Sequence, residues 1–233
     1  MTQIIDAYLG LAALRQAGYR STATAVAELV DNSIEASADD IEIIALTHQT
    51  IVNTRSSNQV KQIAVLDNGL GMTQEILGKC LSLGWGTRLE TRAGLGRFGF
   101  GLKGASISQA RVVEVYSWIS KDDVYMAYMD LEEIKSNKLQ DLKDITPAKL
   151  PQSILDNFSD KLGESGTLVV WDELDQIDLR RAETLLRRIN KDLCRIYRHF
   201  LDNDDAYGEK RKVSLHMLNL DTGKLEESSP LFA

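Results

Sequence analysis

The stretch GLGRFGFGLKGAS carries glycine at positions 94, 96, 99, 101 and 104. So many residues without a Cβ neither fill a strand nor favour a helix, so the segment reads as a loop built for close backbone approach. Three nucleotide signatures nearly overlap in it. GxGxxG is met from Gly94 and again from Gly99, while GxxxxGK[ST] from Gly96 fails because Leu102 stands where lysine is required. A dinucleotide-binding turn needs an apolar strand immediately before its first glycine, and here GWGTRLETRA precedes Gly94. The P-loop has the same requirement and lacks its lysine and hydroxyl in register. Neither architecture is compatible with these flanks.

The rest of the chain supplies a different frame. Helical spacing runs from Ile4 to Gln16 with Gly18 as a C-cap, and a second helix is expected from about Ser21 to Ala38. Ile41–Leu46 and Gln62–Asp67 read as strands joined by a polar loop around TRSSNQ, and Thr73 is an N-cap for TQEILGKCLSL. RVVEVYSWIS and DVYMAYMDL form an antiparallel pair across Lys121-Asp122, and Gly166–Leu174 is a further strand. A long helix from about Asp178 to Leu201 and a strand VSLHML follow, while residues 132–163 show little periodicity and read as an irregular surface excursion. Strands in meanders with grouped helices imply an α+β two-layer sandwich.

Two stretches carry candidate chemistry. In STATAVAELVDNSIEA, Val26, Leu29, Val30 and Ser33 share one side of the helix, and Glu28, Asp31, Asn32 and Glu35 the other. Glu28 and Asn32, four apart, point into the same space. Taken alone, this is an amphipathic surface helix with a solvated acidic face. QIAVLDNGLGM ends a strand on Asp67 and turns through Gly69 and Gly71, which alone is ordinary turn chemistry. Together with the glycine-rich loop and the Gly-Thr strand they form an ordered set.

That set resembles the superfamily of gyrase, heat-shock chaperone, histidine kinase and MutL ATPase domains, the GHKL type. An E-x-x-x-N helix appears as Glu28 to Asn32 and D-x-G-x-G as Asp67, Gly69 and Gly71. The lid appears as LGRFGFGLKGAS and the Gly-Thr strand as Gly166 and Thr167, all in order over about 25–170. AELVDNS, LSLGWGTR and GRFGFGLKGAS look most like the MORC and heat-shock chaperone branch, whereas MutL lids carry G-F-R-G-E. The fold implied is the two-layer sandwich of the Bergerat type, with a mixed, mostly antiparallel sheet covered by helices on one face. Residues 1–205 are the expected ATP-binding domain, with a lid at about 84–104. Residues 206–233 are the expected C-terminal extension, the start of the second domain that supplies a lysine to the γ-phosphate in several relatives.

The resemblance implies ATP and Mg²⁺ as ligands. Mg²⁺ prefers oxygen ligands and takes one or two from protein, and Asn32 is the implied metal ligand through its neutral amide oxygen. Glu28 is the implied catalytic residue, positioning and deprotonating the attacking water, with Glu35 or Asp31 next in line. Asp67 would accept from the adenine amino group, supported by Thr167, with Gly69, Gly71 and Met72 close to the base. Gly96, Arg97, Phe98, Gly99, Phe100, Gly101, Leu102 and Lys103 are the implied lid contacts, the backbone cradling phosphate before a helix that begins near Leu102. Lys103 either touches phosphate or is solvated. The implied function is slow ATP hydrolysis driving a conformational or dimerisation switch. A regulatory module without useful turnover and a histidine-kinase-type phosphotransferase stand as alternatives.

The remaining features set limits. No apolar run approaches the roughly 20 residues that span a bilayer, the N-terminus lacks the pattern of a signal peptide, and a cytoplasmic location with no membrane contact is expected. Cys80 and Cys194 lie in apolar helical patterns as buried free thiols, and His48, His199 and His216 are scattered, without a zinc-type cluster. A net charge of −7 argues against nucleic-acid binding by the overall field. The segment at 180–199 is strongly basic, with Leu186, Ile189, Leu193, Ile196 and Phe200 on one seam. It is either a core-packing helix with a charged outer face or a surface for DNA or a protein client.

Overall fold

The computed structural model describes residues 6–19, 21–52, 54–82, 101–139, 141–201 and 210–231. Its helices are α1 (Ala7–Ala17), α2 (Thr22–Glu35), α3 (Gln74–Lys79), α4 (Gly101–Gln109), α5 (Leu131–Asn137), α6 (Gln152–Phe158), α7 (Ala182–Ile196) and α8 (Arg198–Leu201). Its strands are β1 (Asp40–Val52), β2 (Arg55–Asp67), β3 (Ala110–Trp118), β4 (Tyr125–Asp130), β5 (Thr146–Pro147), β6 (Gly166–Leu174), β7 (Lys212–Asn219) and β8 (Lys224–Pro230). They form one sheet in the order β5-β4-β3-β6-β2-β1-β7-β8, in which only β1 and β7 run parallel.

Alternation along the strands builds two cores. Ile41, Ile43, Ile63, Val65, Val113, Val169 and Trp171 face α1, α2, α4 and α7, whose Leu11, Val26, Leu29, Val30, Ala105, Ile107, Leu186, Ile189 and Leu193 complete the main core. Ile44, Leu46, Ala64, Leu66, Leu168 and Val170 face the other way, onto Leu150, Ile154 and Phe158. The mostly antiparallel sandwich is the expected one, with α6 covering part of the second face. The reading of 132–163 as irregular is corrected here. The segment holds most of α5 together with β5, α6 and a turn of 3₁₀ helix at Ser159–Lys161, elements too short to show periodicity.

Helix starts follow their caps. Asp6, Ser21 and Thr73 accept from the backbone N–H of Leu9, Thr24 and Ile76 at 3.0, 3.2 and 3.4 Å. Gly18 is the C-cap of α1, as its position suggests. The polar loop expected at TRSSNQ is also corrected, because β1 and β2 pair from Ile41↔Asp67 out to Val52↔Arg55. A ladder needs only backbone groups, so the outer half of this hairpin projects with Ile51 81% exposed. The long helix breaks at Tyr197 into α7 and α8, and Ile196 leaves the expected seam, 43% exposed. Strand β8 carried no sequence signal, Leu225 being its one large apolar residue, and β7 and β8 place Lys212–Asn219 and Lys224–Pro230 in the same sheet.

Candidate functional site

Helix α2 lies inside the molecule rather than on it. Ala23, Ala25, Val26, Leu29 and Val30 are buried, and Glu28, Asp31, Asn32 and Glu35 are all half-buried. A solvated acidic face is therefore excluded. Burial, opposed by a hydrogen bond from Tyr19, raises the Glu28 pKa, and Asp31 and Glu35 add to the rise. Asp31 is likewise raised by burial and eased by Tyr197, whose hydroxyl stands 2.7 Å from Asp31 Oδ1 and 2.8 Å from the Ala27 carbonyl. Asn32 Nδ2 is buried with no hydrogen-bond partner among the described residues. An amide with an unmet polar atom next to carboxylates fits a residue completed by a ligand.

Asp67 ends β2 against this helix. It is 6% exposed, with Oδ1 2.9 Å from Gly69 N and Oδ2 2.9 Å from Ser33 Oγ. Burial raises its pKa, countered by Gly69, Ser33 and the Thr167 backbone. Among the described residues no cation pairs with it. Register places Asp67 directly opposite Thr167 on β6. The Thr167 hydroxyl lies 3.3 Å from Ser117 Oγ, which also receives the Met72 N–H at 2.8 Å and stands 3.0 Å from the Gly166 carbonyl. Ser117 thus ties the turn to two strands.

The turn fits because its glycines have no side chain. Gly71 has φ +67°, and a Cβ there would stand 2.1 Å from the Trp118 carbonyl oxygen. At Gly69 it would meet the Ala36 carbonyl at 2.8 Å. Ser165 Oγ donates to the Gly69 carbonyl at 2.7 Å from the far side.

Helix α4 closes the arrangement. Its first described residue is Gly101, where a Cβ would lie 2.7 Å from Glu28 Oε2. Leu102 packs partly on the core. Lys103 is 2% exposed, near the buried Cys80, and burial lowers its pKa. Gly96, Arg97, Phe98, Gly99 and Phe100, with Gly94 and most of the segment 84–104, lie outside the described residues.

The structure brings together Glu28, Gly101 and the Asn32 turn on one side, and Asp67, Gly69, Gly71, Met72 and Thr167 on the other, with Ser33 between. Ser33, Ser117, Tyr19 and Tyr197 were not singled out from sequence. Only Ser33 left a trace there, as a hydroxyl on an otherwise apolar helical strip. The histidines have other settings. His216 is buried against Glu42 on the opposite sheet face, His48 pairs with Asp221 at 2.6 Å, and His199 is exposed. Cys80 is buried and Cys194 half-buried, and neither is joined in a disulfide.

A sheet-and-helix sandwich with a buried aspartate at the end of a central strand, facing an acidic helix, defines a class of nucleotide-binding fold. Residues 19–162 match the family model described as Histidine kinase-, DNA gyrase B-, and HSP90-like ATPase, and the chain belongs to that family. Among solved structures, the chain is similar to one described as the crystal structure of the N-terminal domain of a DNA repair protein. The TM-score is 0.56 at 19% identity, covering 93% of this chain and 55% of that one. The chain thus spans about half the length of that relative, and the likeness is one of fold. No curated protein matches the chain. Among the described residues no helix is long and apolar enough to cross a membrane.

Proposed function

We propose that this domain binds ATP with Mg²⁺, hydrolyses it slowly, and acts as a nucleotide-gated switch that dimerises when nucleotide orders the segment 84–104. The observation that carries the reading is Asp67, a carboxylate 6% exposed and held by neutral donors alone among the described residues. Such an acceptor, buried beside an acidic helix, is suited to an exocyclic amino group and selects adenine over guanine. Gly69 and Gly71 let a flat base approach, Met72 offers it a soft side chain, and Thr167 holds the Asp67 end of the strand.

Asn32 would hold the cation through its amide oxygen, which needs the amide turned so that its oxygen faces the metal. Among the described residues no group of three or more acidic, histidine or cysteine side chains could hold a metal, so most ligands would come from phosphate and water. Bound Mg²⁺ supplies neutralisation of phosphate charge. Glu28 takes the proton of the attacking water, and its raised pKa makes it a better base than a solvated carboxylate. Gly101 to Lys103 present the first turn of α4 to phosphate. The motif sequences favour the MORC and heat-shock chaperone branch. The exposed arginines of α7 remain a surface for DNA or a protein client.

Calorimetry with Mg-ATP and a phosphate-release assay test this reading. The wild type should bind and release phosphate, Asp67→Asn should lose binding, and Glu28→Gln should bind without turnover. Unchanged affinity in Asp67→Asn would remove the adenine assignment. Sedimentation with a non-hydrolysable ATP analogue should give a dimer, and a monomer at saturation would exclude the dimerisation switch.

A further inference from the structure

Helix α7 buries Ala182, Leu185, Leu186, Ile189 and Leu193 and packs on α2, β1, β2 and β7. Its other side is a row of one charge. At about 100° per residue, Thr184, Arg187, Arg188, Lys191 and Arg195 fall within about a third of the circumference, and all five are exposed. Residues 180–199 hold seven arginines and lysines against two acids, in a chain of net charge −7. Both acids are already engaged, Glu183 with Arg181 at 3.0 Å and Asp192 with Arg188 at 2.8 Å. Among the described residues Arg187, Lys191 and Arg195 have no acidic partner. Lys191 stands four positions from each of the other two, a spacing at which like charges repel and weaken a helix. A face that only met water would interleave both signs and avoid that repulsion. An anion laid along the row relieves it.

We propose that this row binds double-stranded DNA through its phosphate backbone. Arg187 to Arg195 spans about 12 Å of helix, a length over which a duplex carries about seven phosphate charges. Guanidinium groups meet phosphate oxygens with paired N–H donors. The row holds no aromatic or large apolar side chain. A single strand is held by stacking its bases on aromatic rings, and a protein partner buries an apolar centre, so neither has a foothold here. An α-helix about 10–12 Å across suits the rims of the B-form major groove, about 12 Å wide, whereas the major groove of an RNA duplex is too narrow. Contact with phosphate alone carries no base sequence. The row is also separate from the acidic helix, because Tyr197 at the end of α7 turns inward to Asp31. The inference therefore does not depend on nucleotide.

The test is fluorescence anisotropy of a short labelled DNA duplex with the whole chain and no nucleotide. Contacts from the four cations should make affinity fall about a hundredfold between about 50 and 200 mM salt. Arg187→Gln/Lys191→Gln/Arg195→Gln should lower the log–log salt slope by about three and weaken binding at least about thirtyfold at the lower salt. It should melt at or above the wild-type temperature, since the repulsion is gone. Lys121→Gln/Lys143→Gln/Lys149→Gln removes equal charge around β4 and β5, at the far end of the sheet, and should bind as wild type. Absence of binding at low salt, or an equal loss in this second variant, would overturn the proposal. Equal affinity for a single strand or for an RNA duplex would overturn the choice of double-stranded DNA. Tighter binding to polyglutamate than to the duplex would assign the row to an acidic protein instead.

Discussion

The Ser33 hydroxyl on α2 and the Asp67 carboxylate at the end of β2 stand 2.9 Å apart, joining the acidic helix to the turn that follows the strand. The same oxygen lies 3.1 Å from the Leu29 carbonyl, so Ser33 is shared between helix and carboxylate. Removing it leaves a buried charge short of one donor. Ser33→Ala should cost about 1–3 kcal/mol of stability and weaken ATP binding about tenfold, checked by urea melts and calorimetry.

Asp67→Asn should separate stability from binding. The folded-state pKa of Asp67 is raised by burial, so the native state holds its proton more tightly than the unfolded chain. That favours folding near the acid end and is lost as pH rises through the folded value. At neutral pH the ionised group destabilises the fold. The variant should melt at or above the wild-type temperature there, lose that advantage on acidification as Asp67 of the wild type takes up its proton, and bind no ATP. Thermal melts across this range check the sign.

The Glu42 pair behaves in the opposite sense. Burial pushes its pKa up, but hydrogen bonds from His216 and Lys161 and their charge outweigh it and bring it down to about 2, from 4.5. Lys161 Nζ stands 2.9 Å from both Glu42 Oε1 and Asp40 Oδ2. The native state then binds fewer protons than the unfolded chain between those values, so this stability is full above about pH 4.5 and vanishes as pH falls toward about 2. Glu42→Gln should lose roughly 3 kcal/mol at neutral pH and progressively less on acidification, read from urea midpoints.

Two glycines should respond in opposite directions. Gly71→Ala places a methyl 2.1 Å from a carbonyl oxygen at φ +67°. It should destabilise by at least about 2 kcal/mol and abolish nucleotide binding. Among the described residues, Gly104→Ala in α4 meets nothing closer than Tyr19 Cε2 at 3.8 Å. It should stabilise by up to about 1 kcal/mol. Paired thermal melts decide both.

What the sequence made legible was local. The cap at Ser21, the period of α2, the alternation of β1 and β2 at their inner ends, and the acidic and glycine spacings at Glu28, Asn32, Asp67 and Gly71 depend on neighbours within a few residues. The contacts at Ser33–Asp67 and Ser117–Met72 join residues 34 and 45 positions apart, and no spacing rule encodes them. The outer half of the β1–β2 hairpin escaped notice because most of its residues are polar while its pairing is by backbone. Helix α6 was missed because a two-turn element has no room for a period, though its Ile154 and Phe158 are fully buried.

Tyr197 touches Asp31 across 166 positions of chain. During synthesis the acidic helix is therefore made early and meets this hydroxyl only after the chain has run on through α7. A fragment cut at residue 162, where the family match ends, would carry the acidic helix, the glycine turn and the lid, yet lack both this phenol and Thr167. Such a fragment would keep the family's first motifs and the packing of α2 on α4, yet leave Asp31 without its tyrosine donor.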